Sequence, residues 1–311
     1  MTISFEGRVA IVTGGGNGLG REHCLQLAQR GAKVVVNDLG GSLDGSGASA
    51  SAAESVAEEI RAAGGEAIAN GADITDLEQV EAMVAEAKAK WGRVDILVNN
   101  AGILRDKTFA KMTMDDFKKV VDVHLFGTTN CCKAVWETMR EQSYGRILVT
   151  SSSSGIYGNF GQSNYGAAKA AMIGLMNVLH YEGAKYDIRV NALAPTAATR
   201  MLEDLIDSEK VKELMSPASV SPGVLYLVSE EAPSRVILGA GAGSFAVSRI
   251  YESPGVFLGS DATVDDVAAN WEAIADPAGQ VALANGGEQT GKFVEMAATA
   301  LGIDLKQEQA A

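Results

Sequence analysis

Tyr165 and Lys169 stand four residues apart in Asn164-Tyr165-Gly166-Ala167-Ala168-Lys169, a segment of helical character. Side chains at that spacing leave one face of a helix. A free phenol has a pKa near 10, and bringing it to about 7–8 takes roughly 3–4 kcal/mol of differential stabilisation. A neighbouring ammonium and a bound cofactor can supply it, making Tyr165 a general acid and base at neutral pH. The run Ser151–Ser154 just upstream offers a hydroxyl, from Ser152 or Ser154, to hold a carbonyl oxygen as charge develops on it. The same Tyr/Lys spacing also arises when a lysine stem merely covers an aromatic ring. What separates the two readings is the company these residues keep.

That company begins at Thr13–Gly20, where a glycine-rich turn follows an apolar run and opens a helix near Leu19. Gly14, Gly16, Gly18 and Gly20, with Asn17 and Leu19, form a loop whose backbone can approach a pyrophosphate at a helix N-terminus. Asp38 ends the next apolar run, as the acidic residue that accepts hydrogen bonds from an adenosine ribose does. A carboxylate there repels a 2′-phosphate, so the expected cofactor is NAD, with NADP as the alternative. Asp73 and Ile74 are expected to flank the adenine, and Asn100, Ala101 and Gly102 to leave room for the second ribose. No metal is expected.

Elements able to bring these residues together follow from the apolar pattern. Runs at Val9–Thr13, Lys33–Asp38, Ala67–Ile68, Val94–Asn99, Gly145–Thr150 and Ile188–Ala192 alternate with helical segments. Strands apolar on both faces and separated by helices imply an α/β fold, a doubly wound parallel sheet of Rossmann type. A last run at Arg235–Gly239 is expected to close the sheet, with Gly239–Gly243 as a close-packed turn. Thr199–Met215 reads as a short helical pair, suited to a lid. The expected domains are 1–258, catalytic, and 259–311, a helical extension packed on it, with Thr263 capping one helix and a second around Thr290–Leu301.

Composition narrows the function classes. A formal charge of −13, from 39 acidic and 26 basic residues, argues against nucleic acid and anionic membrane as partners. Cys24, Cys131 and Cys132 have no zinc spacing and suit a reducing compartment. With no signal-like start, no membrane-length apolar run and a Gln309-Ala310-Ala311 end, the expected location is the cytoplasm. Gly286–Lys292 nearly matches a phosphate-binding loop, but Phe293 replaces the Mg²⁺-binding Ser or Thr. The serine run lacks a hydrolase elbow.

Taken together, Thr13–Gly20, Asn99–Gly102, the serine run and Tyr165/Lys169 resemble the short-chain dehydrogenase/reductase family over about residues 6–250. The resemblance implies Ser152, thirteen positions before Tyr165, as the catalytic serine, and implies that Lys169 contacts ribose while lowering the Tyr165 pKa. It implies nicotinamide contacts from Pro195, Thr196 and Ala198, and a homodimer or homotetramer. Two positions depart from the general pattern: His124 replaces the usual active-site asparagine, and Thr196 follows Pro195 where glycine is usual. At His124 a backbone carbonyl can hold a relay water, or the imidazole can itself move protons. With Val36–Gly41, Gly102–Asp106 and Gly155–Gln162, these departures resemble the hydroxyacyl-CoA dehydrogenase units of peroxisomal multifunctional enzymes of type 2.

That subgroup implies oxidation of a (3R)-3-hydroxyacyl-CoA to its 3-oxo form. It is also called 17β-hydroxysteroid dehydrogenase type 4, so a steroid is the alternative substrate. Arg105, Lys107 and Lys111 are candidate cations for CoA. A reading of another class is an NAD-binding sensor without turnover.

Overall fold

The computed structural model describes residues 2–42, 44–47, 51–198 and 208–305. Among them eight strands form one sheet: β1 Val9–Thr13, β2 Lys33–Asn37, β3 Glu66–Asn70, β4 Ile96–Asn99, β5 Gly145–Thr150, β6 Ile188–Thr196, β7 Ile237–Gly241 and β8 Ser244–Ser248. Their order is β3-β2-β1-β4-β5-β6-β7-β8, parallel except for β8. Every residue of β1, β4 and β5 is buried. Each Val, Ile or Leu so enclosed contributes roughly 1.5–3 kcal/mol over an exposed one, which explains why these runs carry no polar alternation.

Helices cover both faces. On one lie α1 Gly18–Gln29 and α2 Ser51–Ala62, whose Leu27, Val56 and Ile60 join the inner residues of the strands. The other carries α3 Leu77–Trp91, which Asp76 caps by accepting the Glu78 and Gln79 amides and Gly92 ends at φ 78°. The chain continues through α4 Met114–Val121, a π-helical turn at Asp122–Gly127, α5 Thr128–Gln142, α6 Ser153–Tyr157 and α7 Ser163–Gly183. Cys131, Cys132, Val135 and Met139 of α5 and Met172 and Met176 of α7 fill this second core with α3. Then come α8 Glu209–Leu214 and α9 Ser221–Leu227, the latter returning to the α1 face. Fully buried His23 of α1 sets Nδ1 2.7 Å from the Ser221 hydroxyl, an inward helix-face position rather than a surface one.

The strand order reverses between β1 and β4, whose registers align Thr13 with Asn37 and Asn99. At such a point the carboxyl ends of parallel strands open a crevice. The opposite edge is closed by polar pairing: fully buried Asp95 takes Arg8 at 3.3 Å, Arg93 at 2.5 Å and the Val9 amide at 2.9 Å. At the carboxyl edge, by contrast, buried Asn99 Oδ1, Thr150 Oγ1 and His124 Nδ1 have no partner among the described residues.

Two expectations are corrected. The run at Arg235–Gly239 does not end the sheet, because β7 continues through Gly241 and turns into antiparallel β8. Ala242 at φ 48° and Gly243 at φ 73° make the two-residue turn, so the glycine stretch is strand and hairpin together. The Gly and Ala stretch carries almost no strand propensity, which hid where β7 ends and the turn begins. Of the expected helical pair at Thr199–Met215, residues 199–207 lie outside the described residues and the rest holds α8.

Backbone packing divides the chain into two units, Met1–Ser248 and Arg249–Ala311, so 249–258 groups with the extension. The second unit holds α10 Val264–Ala269, α11 Trp271–Ala275 and α12 Gly286–Leu301. Thr263 caps α10 in a reciprocal pair with Asp266. Gly286–Lys292 is the first half of α12 rather than a phosphate loop, and Lys292 is held by Glu252 at 2.8 Å. Among the described residues no helix is long and apolar enough to cross a membrane.

Candidate active site

Between β1 and α1 the glycines are required by space as well as by conformation. Gly14 and Gly18 have φ of 63° and 52°. A Cβ on Gly14 would lie 2.8 Å from Ala101 Cα, one on Gly16 2.8 Å from Asp38 Oδ2, and one on Gly20 would collide with the Gly14 carbonyl oxygen. The loop is therefore pressed against Asp38, Asn100 and Ala101. The Gly16 amide donates to Asp38 Oδ2 at 2.8 Å and the Gly40 amide to Oδ1 at 2.7 Å, aiming the carboxylate along the end of β2. Asn100 Nδ2 donates to the Thr13 and Gly14 carbonyls at 3.1 and 3.0 Å, so its side chain braces the loop. Exposed Asn17 precedes α1 without capping it, and half-buried Leu19 packs on the core.

These features fit a dinucleotide: a side-chain-free cradle, an oriented carboxylate and unpaired buried polar atoms on one edge. Asp73 turns its carboxylate back on the Thr75 amide at 2.9 Å, while Ile74 is buried and packs against Gly127. Pro195 and Thr196 end β6, and the Ala198 amide donates to the Met215 carbonyl at 2.7 Å.

The serine run divides its tasks. Ser151 Oγ donates to the Lys169 carbonyl at 2.8 Å, fastening β5 to α7. Ser152 accepts the Ser154 amide at 3.2 Å, caps α6 and lies close enough to the Tyr165 phenol to oppose the rise of its pKa. Ser154 Oγ instead donates to Gln162 Oε1 at 2.7 Å. Ser152, not Ser154, is thus the hydroxyl beside Tyr165.

Lys169 is 4 % exposed; its Nζ donates to the Thr150 carbonyl at 2.6 Å and lies 5.6 Å from the Tyr165 ring centre. Burial brings its pKa down to about 7. Burial also raises the Tyr165 pKa; the Ser152 hydrogen bond opposes that rise and the Asp106 charge adds to it. The lowering expected of Lys169 together with a bound cofactor is thus not a property of the protein alone. Both groups are desolvated, and an ammonium that close to neutrality is only part charged.

His124 sits in the π-helical turn, 2 % exposed, with its ring edge-on to Tyr165 at 5.2 Å. Nε2 lies 2.8 Å from the Ile103 carbonyl and 3.1 Å from the Ile103 amide. Burial and then the Lys169 charge hold its pKa at about 3, so the ring is neutral. A Cβ on Gly102 would collide with its Cε1. Gly102→Ala is expected to cost about 1–3 kcal/mol through this overpacking. A melting curve checks it, and an unchanged midpoint would show that the ring has room to move.

Sequence reasoning missed a second layer on this rim. Gln162 bridges Ser154 and Asp106, and fully buried Asn164 donates to the Arg105 carbonyl at 3.0 Å. Gln162 and Asp106 stood inside motifs without a chemical signature; only their position beside Tyr165 and Asn99–Gly102 pointed to them. Arg105 and Lys107 prove to be paired with Asp116 at 3.2 and 2.9 Å. Chiefly through Lys107, that pairing holds the Asp116 pKa at about 2. Lys111 is exposed.

A family model described as short chain dehydrogenase matches residues 8–210. The chain is 46 % identical over 273 residues to a short-chain type dehydrogenase/reductase of Mycobacterium tuberculosis, covering 88 % of this chain and 95 % of that one. The structure of full-length peroxisomal multifunctional enzyme type 2 from Drosophila melanogaster is 35 % identical at a TM-score of 0.79. That match covers 94 % of this chain but only 50 % of the multifunctional enzyme. A 7α-hydroxysteroid dehydrogenase complexed with NADH and 7-oxo glycochenodeoxycholic acid is 32 % identical, at a TM-score of 0.69, over 78 % of this chain and 95 % of that one.

Proposed function

The chain belongs to the short chain dehydrogenase family, oxidoreductases acting on CH–OH groups, and from that premise we propose that it oxidises (3R)-3-hydroxyacyl-CoA thioesters to 3-oxoacyl-CoA with NAD. The observation that carries the chemistry is the meeting of Ser152, Tyr165 and Lys169 at the carboxyl edge of the sheet, next to the glycine loop. The substrate rests on likeness to the multifunctional enzyme of type 2.

The loop from Gly14 to Gly20 with Asn17 and Leu19 would hold the pyrophosphate, Asp38 the adenosine ribose, and Asp73 and Ile74 the adenine side. Asn100, Ala101 and Gly102 would line the second ribose, and Pro195, Thr196 and Ala198 the nicotinamide. Bound there, NAD⁺ supplies the acceptor for the hydride that leaves C3. Tyr165 takes the hydroxyl proton, and Ser152 donates to the oxygen as it becomes a carbonyl. Lys169 would donate to the ribose of the bound cofactor, keep its ammonium form there and draw the Tyr165 pKa down. His124 holds Ile103 through its imidazole and edges the Tyr165 ring.

NAD rather than NADP is favoured because both Asp38 oxygens are already oriented by backbone amides, leaving a fixed negative charge where a 2′-phosphate would lie. Three free, buried cysteines support a reducing, cytoplasmic setting, and family likeness supports a homodimer or homotetramer. The steroid reading is favoured by one observation, the likeness to the 7α-hydroxysteroid dehydrogenase.

A panel of (3R)-3-hydroxyacyl-CoA and hydroxysteroids with both cofactors separates these readings. We expect kcat/KM to be at least tenfold higher for the thioester than for any steroid, and for NAD⁺ than for NADP⁺. Turnover of steroids alone would overturn the substrate, and a preference for NADP⁺ the cofactor.

A further inference from the structure

Resting on the thioester reading, we propose that Gln162, oriented by Ser154 and Asp106, determines specificity. Its carboxamide N–H receives the C1 carbonyl oxygen of the acyl thioester, while the Asp106 carboxylate turns free 3-hydroxy acids away.

The orientation of the carboxamide is fixed by chemistry. Ionised Asp106 only accepts, so the group 2.6 Å from its Oδ2 is the Gln162 NH₂. Oε1 then faces Ser154 Oγ at 2.7 Å and Asn159 Nδ2 at 3.2 Å, both donors. One N–H of Gln162 goes to Asp106; the second has no acceptor among the described residues.

Position makes that second N–H useful. Gln162 immediately precedes α7, three residues ahead of Tyr165, and its carbonyl accepts the Gly166 amide at 2.7 Å. Both therefore stand at the start of α7, where Ser154 holds the Gln162 side chain. The serines repeat this arrangement: Ser152 serves Tyr165, and Ser154, two residues on, serves Gln162. The site therefore carries two adjacent polar stations. A 3-hydroxyacyl thioester has two oxygens with one carbon between the atoms that bear them, and a hydroxysteroid has no second oxygen so placed.

Asp106 gives the selectivity its sign. It accepts from Gln162 at 2.6 Å, and the Lys107 amide donates to the Gly161 carbonyl at 2.9 Å, tying its loop to the turn before α7. A thioester carbonyl is neutral and accepts the N–H, whereas a free carboxylate would meet Asp106 as a like charge. Discrimination of this kind comes from an unpaired or repelled group in the wrong complex.

The test uses a matched pair: (3R)-3-hydroxyacyl-CoA and the CoA thioether of equal length with a methylene at C1. Gln162→Leu should lower kcat/KM for the thioester about 10–100-fold and change the thioether less than threefold. Asp106→Asn, at an exposed position with little consequence for folding, should raise kcat/KM for the free (3R)-3-hydroxy acid at least tenfold relative to the thioester. NADH binding and melting curves check that both variants are folded. Equal losses on thioester and thioether in Gln162→Leu, or unchanged rejection of the free acid in Asp106→Asn, would overturn the inference alone. A wild-type enzyme that ignores the thioester would overturn the substrate reading with it.

Discussion

Tyr165→Phe is expected to lower kcat/KM for alcohol oxidation by about 10²–10⁴ while leaving the NADH dissociation constant within threefold. The substitution removes one hydroxyl from a half-buried ring. It keeps the edge-on packing against His124 and the body of α7, and it leaves Lys169 on the Thr150 carbonyl. The loss therefore falls on proton transfer. Single-turnover measurement of NADH formation separates it from product release. Turnover within tenfold of wild type would remove Tyr165 from the mechanism and shift the proton to another group.

Lys169→Met should lose activity on a similar scale, and it should also stabilise the protein. Lys169 is buried, its ammonium donates to the Thr150 carbonyl, and its pKa falls from 10.5 to about 7. Between those values the unfolded chain binds more protons than the native state at this group, so stability rises with pH. The cost of burying Lys169 is thus full below about pH 7 and fades as pH climbs toward 10.5. Methionine fills similar space without a charge to desolvate, and we expect a gain of about 1–2 kcal/mol at neutral pH that shrinks in alkaline buffer. Thermal melts across that pH range read the gain. A variant less stable than wild type at pH 7 would show that the ammonium is well solvated in the fold. Loss of function together with gain of stability marks a residue held for chemistry rather than for packing.

The doubly wound sheet was legible because buried strands leave a strong mark: Val9–Thr13 and Gly145–Thr150 appear in the structure with the bounds read from their apolar runs. The glycine loop was legible for a related reason, since close backbone approach excludes every other residue type. The hairpin of β7 and β8 was not, because the end of β7 and the turn are all Gly and Ala and give no signal that separates strand from turn. In the site, Tyr165 and Lys169 stood out by spacing, but their electrostatics did not. A sequence shows an ammonium beside a phenol, and only the fold shows that both are desolvated. Likewise Arg105 and Lys107 looked available for phosphate until α4 placed Asp116 between them. Gln162 carried no signal of its own, because its role depends on Ser154 and on Asp106, 56 residues away in sequence.

The central claim is tested most directly by mixing the wild-type protein with NAD⁺ and either enantiomer of a 3-hydroxyacyl-CoA, and following NADH absorbance. NADH should form with the (3R) thioester at a kcat/KM at least a hundredfold above that of the (3S). No NADH from the (3R) thioester, or equal rates from both enantiomers, would contradict the account.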